Sequence, residues 1–120
     1  MNRPLTDTEK QLVVFMLENG DADAKKYLSR IDSIRVTQWV CDCGCASFKM
    51  VFEGESSPTG TTHIIADFEL GSGLDMAGAF LFEYGGVLAG FEVYGMAKNA
   101  PTKLPKPNEL RPLTDEIAKG

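Results

Sequence analysis

Two adjacent glycines, Gly85-Gly86, join two apolar runs, Met76 to Tyr84 and Val87 to Tyr94, and this junction constrains the fold more than any other stretch. Tight two-residue turns need positive φ, which glycine adopts without a Cβ clash, so the segment reads as a β-hairpin. Counting outward from the turn predicts Tyr84 opposite Val87, Phe82 opposite Ala89, Phe80 opposite Phe91 and Gly78 opposite Val93, all on one face. The other face would carry Glu83 with Leu88, Leu81 with Gly90, Ala79 with Glu92 and Ala77 with Tyr94. The first face, with Phe80, Phe82, Phe91 and Val93, is the predicted core. A lone hairpin is marginal in water, so helices or further strands are expected against it.

The rest of the chain supplies them. Thr6-Asp7-Thr8-Glu9 has capping-box spacing, and the apolar run Leu12 to Leu17 follows it as a buried helix, with Gly20 in the left-handed position at its end. Asp21 or Asp23 caps a second, shorter helix carrying Ala24, Tyr27, Leu28 and Ile31 on one side. From Ser33 the period changes. Ile34 to Val40, Ser47 to Glu53 and His63 to Leu70 read as strands, the last with Ile64, Ala66, Phe68 and Leu70 inward and His63, Ile65, Asp67 and Glu69 outward. Four prolines between Pro101 and Pro112 make the end of the chain an extended tail, anchored by Leu104 and Leu110, with a last helical turn expected over Thr114 to Lys119. The fold class is α+β: two N-terminal helices (6–31) packed on a five-stranded antiparallel meander sheet (33–96), then the tail (97–120), together one domain.

Composition bounds the function. The net charge is −5 and no basic cluster is denser than Lys25-Lys26, which argues against nucleic acid and anionic membrane as partners. The first apolar run is short and lacks the flanks of a signal peptide, and no stretch approaches the roughly 20 apolar residues of a membrane helix. A cytoplasmic protein is expected. Three closely spaced cysteines, an odd number, fit thiols in a reducing compartment better than a disulfide framework.

Cys41-Asp42-Cys43-Gly44-Cys45 is the one segment with evident chemical potential. In an extended strand the three thiols would stand about 6.5–7 Å apart, too far to share one ion. A turn at Gly44 would bring them together, and tetrahedral zinc accepts three thiolates with one imidazole, for which His63 is the sole histidine. The candidate metal ligands are therefore Cys41, Cys43, Cys45 and His63, with zinc the candidate ion. Against this, Cys-x-Cys-x-Cys is a weaker zinc signal than Cys-x-x-Cys. Thiol redox chemistry is a second reading, though Asp42 opposes thiolate formation, and simple packing of small apolar cysteines is the plainest one. No nucleophile–base pair, carboxylate dyad or phosphate loop emerges elsewhere, so no catalytic residue is nominated.

Three segments resemble a group of small uncharacterised bacterial proteins: Cys41 to Ser47, with its C-x-C-G-C-x-S pattern; Gly86 to Gly95, similar to a G-x-L-x-G-L-E-V-Y-G strand; and Leu104 to Pro112, similar to L-P-x-P-x-x-L-R-P. The resemblance implies a shared fold and brings no activity. The expected function is a non-catalytic binding or interaction module of immunity or accessory type, with a small zinc-type metalloprotein and a thiol redox protein as alternatives. Its expected partner is another protein or a second copy, met through Ile65, Leu81, Leu88 and Tyr94 on the mixed face of the hairpin.

Overall fold

In the computed structural model, which describes residues 2–96 and 98–112, helix α1 (Asp7–Glu18) starts at the predicted capping box. The Glu9 amide donates to Thr6 Oγ1 (3.1 Å), and the Thr6 amide donates to Glu9 Oε1 (2.9 Å). Leu12, Val13, Met16 and Leu17 recur at helical spacing and are fully buried. Each contributes about 1.5–3 kcal/mol of apolar burial. The second helix, α2 (Ala22–Lys25), is capped by Asp21 and is one turn long; a 3-10 segment, Leu28–Ser33, carries the chain on. Gly20 is not left-handed, contrary to expectation. It is glycine because a Cβ there would stand 2.6 Å from the Ile65 carbonyl oxygen, which accepts the Asp21 amide at 2.9 Å.

Each of the five expected segments contains a strand, β2 (Ile34–Val36), β3 (Phe48–Phe52), β4 (Thr62–Leu70), β5 (Ala77–Tyr84) and β6 (Val87–Gly95), though the first stops at Val36 rather than Val40. Two-residue strands, β1 (Arg3–Pro4) and β7 (Arg111–Pro112), extend the sheet to seven, all antiparallel, in the order β1-β2-β3-β6-β5-β4-β7. The sheet is not a simple meander. Strand β3 lies beside β6 rather than β4, giving a Greek-key order. The β3–β4 link crosses the hairpin tip, where the Gly85 amide donates to the Thr61 carbonyl (3.0 Å). Gly85 (φ +57°) and Gly86 (φ +84°) form the predicted turn.

The hairpin register departs from the expected one. Glu83 faces Leu88, but the next pair is Phe82 with Gly90, so Ala89 is an extra residue, a β-bulge. Beyond it Leu81 faces Phe91 and Ala79 faces Val93. Phe91 and Val93 therefore join Leu81 and Ala79 in the core under the helices, while Phe80 and Phe82 lie on the opposite face. A matching bulge at Ile65 in β4 turns Ile65 inward with Ala66 and leaves Ile64 exposed, reversing the expected pair. The surface expected from Ile65, Leu81, Leu88 and Tyr94 is thus corrected: the first three are at most 1% exposed in the core, and only half-buried Tyr94 lies on the outer face. That outer face carries a ladder of touching rings from Tyr94 through Phe80 and Phe82 to Tyr84.

The tail crosses back to the far edge of the sheet. Leu110 is buried in the core, Leu104 packs against it, and β7 pairs with β4. The helical turn expected over Thr114 to Lys119 lies outside the described residues. No helix among the described residues is long and apolar enough to cross a membrane.

The two turn glycines make different demands. A Cβ on Gly86 meets open space, whereas one on Gly85 would stand 2.4 Å from the Thr59 carbonyl oxygen. Gly86→Ala is expected to lose about 1–2 kcal/mol through its positive φ alone. Gly85→Ala should lose about 1–3 kcal/mol more, because the crossing loop must move. Urea denaturation of the two variants compares them, and equal losses would contradict the loop contact.

Candidate functional site

Strand β2 ends at Val36, and the chain from Thr37 to Ser47 returns to β3 through the cysteine segment. The Gly44 amide donates to the Cys41 carbonyl (3.0 Å), closing a turn over Cys41–Gly44, with Gly44 at φ +78°. This is the turn that the sequence required for convergence, and the three sulfurs lie within 4.8 Å of one another. Cys41 Sγ and Cys43 Sγ are 2.8 Å apart, and the Cys45 amide donates to Cys43 Sγ at 3.3 Å. Cys45 Sγ stands 3.2 Å from Ser47 Oγ, which also accepts the Val93 amide (3.0 Å), so the turn is tied to the end of β6. On its other side the Ala46 amide donates to the Pro101 carbonyl (3.0 Å). Despite these anchors Cys43 is exposed, and Cys41 and Cys45 are half-exposed.

The thiols differ in acidity. Hydrogen bonding to Cys41 and then to Cys45 pushes Cys43 up to about 11. Burial pushes Cys45 up, but hydrogen bonds from Ser47 and Cys43 outweigh it and bring that thiol down to about 7. Three convergent thiols, one of them with its pKa lowered to about 7, could hold a single metal ion. On tetrahedral zinc, with Zn–S near 2.3 Å, the sulfurs would spread to about 3.8 Å, so binding would open the Cys41–Cys43 pair.

His63 is not the fourth member of this group. It stands at the start of β4 beside the hairpin tip, where Nδ1 is 3.1 Å from Glu83 Oε1 and 4.0 Å from Asp23 Oδ2. The thiols sit at the opposite end of β6, beside Val93. From the strand rise and three inter-strand spacings, the two places are about 20 Å apart.

Glu83 was not foreseen as a site residue. It is buried on the helix side, yet it is fully partnered: Tyr27 Oη donates to Oε2, Lys26 Nζ lies 3.3 Å from the same oxygen, and His63 holds Oε1. Burial alone would raise its pKa, but the bonds from Tyr27, His63 and Lys26 together hold it below the usual carboxylate range. Burial, and then the Glu83 carboxylate, push the Tyr27 hydroxyl up. A signal was present in the sequence, since Glu83 continues the Ala79, Leu81 row that the bulge turns into the core. A charge in such a row implies partners, and these come from 56 and 20 residues away.

No family model matches the chain, and no curated protein or solved structure matches it either. Its chemistry is therefore read from geometry alone.

Because the folded chain lowers the pKa of Glu83, its ionised form stabilises the fold above the unfolded carboxylate pKa of about 4.3, and that contribution is lost as pH falls through the folded value. Glu83→Gln is expected to cost about 1.5–3 kcal/mol near neutral pH. Denaturation curves across an acid series should show the gap between wild type and variant narrowing as pH falls. A gap independent of pH would remove Glu83 as an ionised partner in the folded chain.

Proposed function

We propose that this protein is a small, non-catalytic metal-binding module in which Cys41, Cys43 and Cys45 hold one zinc-type ion. One observation carries the reading: three thiols from a five-residue segment converge within 4.8 Å around a turn that Gly44, at φ +78°, makes accessible. A side chain placed only for packing would be covered by its neighbours, whereas Cys43 is exposed and Cys41 half-exposed; only Cys45 also packs against the core. Soft thiolate donors suit zinc and other thiophilic ions rather than magnesium or calcium. The lowered Cys45 pKa favours metal binding, since each ligand must lose its proton first.

A second reading is thiol redox chemistry, favoured by the 2.8 Å separation of Cys41 and Cys43. Joining them would remove two protons and two electrons and needs an external oxidant. The two readings separate on purified protein. Under the metal reading, protein prepared without an affinity tag retains about one zinc per chain through dialysis. Cys45→Ser lowers that affinity at least tenfold, and affinity falls as pH drops because the thiols hold their protons. Calorimetric zinc titration with thiol counting decides the matter: three free thiols and no bound zinc defeat the metal reading, and a loss of two thiols on mild oxidation of metal-free protein supports the redox one.

A further inference from the structure

We infer that the ion is completed by a second copy of this chain, the partner subunit's His63 filling the coordination position that the three thiols leave open; the inference rests on the metal-binding reading above. The first observation is a missing ligand. Structural zinc sites use four protein donors, yet among the described residues the group at Cys41, Cys43 and Cys45 contains no fourth. Charge selects what should fill the gap. Zinc with three thiolates carries a net −1 beside Asp42, so a neutral imidazole adds no further repulsion, whereas a fourth thiolate would.

The second observation is an imidazole prepared for such a role. A metal-ligating histidine commonly gives one ring nitrogen to a carboxylate, which fixes ring and tautomer and frees the other nitrogen for the metal. His63 has this arrangement: Nδ1 is held by buried Glu83 at 3.1 Å, and its ring is half-exposed. Nε2 has no hydrogen bond among the described residues. Tyr27 and Lys26 in turn hold the other Glu83 oxygen. His63 is also the sole histidine of the chain.

The third observation is that this nitrogen cannot serve its own thiols, since the two lie at opposite ends of the sheet. For the partner subunit's His63 to reach the thiols, two copies must meet about a two-fold axis, antiparallel, with each thiol turn against the other's His63. Such a contact satisfies both sites at once and closes without leaving an open chain of subunits. On binding, the nitrogen–metal bond replaces a water–metal bond, and no electron changes hands.

The experiment uses the full chain with zinc(II) as the probe. Equilibrium sedimentation is expected to show a monomer without metal and a dimer carrying one zinc per chain with it. His63→Ala should still bind zinc through its thiols but keep the monomer mass. Mixed with a chain carrying Cys41→Ser, Cys43→Ser and Cys45→Ser, it should form a heterodimer holding a single zinc. The His63 ring resonances of wild type should shift as zinc is added, and those of the chain carrying Cys41→Ser, Cys43→Ser and Cys45→Ser, where Asp21 and Asp23 lie within 4.8 Å of His63 and could hold an ion with it, should not. Zinc binding without a change of mass, an unmoved His63 ring, or dimerisation of His63→Ala as readily as wild type would overturn the inference and leave the metal site standing. Absence of zinc binding would overturn both.

Discussion

Two aromatic rings lying across two glycines set the register on which the rest of the sheet depends. Phe82 covers Gly90, its direct partner, and a Cβ on that glycine would meet the ring at 2.7 Å. Tyr94 covers Gly78 in the same manner, leaving 2.2 Å. Neither pairing exists in a regular hairpin counted from Gly85-Gly86; the extra residue at Ala89 creates both. A one-residue offset exchanges the two faces of a strand, and so the bulge decides which side chains meet the helices. It sends Phe91 and Val93 under α1 and leaves the aromatic ladder of β5 and β6 on the outer face.

The two bulges also organise what surrounds the sheet. At Ile65 the backbone carbonyl leaves the β4–β5 ladder and accepts the Asp21 amide instead, which docks the link between α1 and α2. The same bulge allows Ile65 and Ala66 to share the core side while His63 remains in line with Glu83. Glu83 then sits buried at the hairpin tip, where the first turns after α1 bring Tyr27 and Lys26 to it. Burying a carboxylate is costly unless its oxygens are satisfied, and this one draws on two separate segments, Lys26-Tyr27 and His63. Helix, strand and hairpin are tied together there, at the end of the sheet away from the thiols.

The thiol turn occupies the other end and is held by different means. Ser47 joins it to Val93 of β6, and Pro101 of the tail joins it to Ala46. Both anchors lie next to Cys45, whose thiol is the most acidic of those resolved, whereas Cys43 projects into solvent with its thiol raised. The turn is hydrogen-bonded at its base and exposed at its tip.

Local chemistry was legible in the sequence. The capping box at Thr6 and Glu9, the glycine turn at 85–86 and the five main strand segments each follow from residues close together in the chain, because dihedral preference and side-chain period act over a few residues, whereas thiol convergence was conditional on a turn at Gly44 that the structure supplied. The register beyond Ala89, the placing of β3 beside β6, the burial of Ile65, Leu81 and Leu88, and the pairing of His63 with Glu83 rather than with the cysteines were decided by tertiary structure. Each depends on contacts between residues far apart in sequence. A bulge keeps the apolar pattern of a strand while reversing the face it presents, so only packing against the helices and the opposing rings could select it.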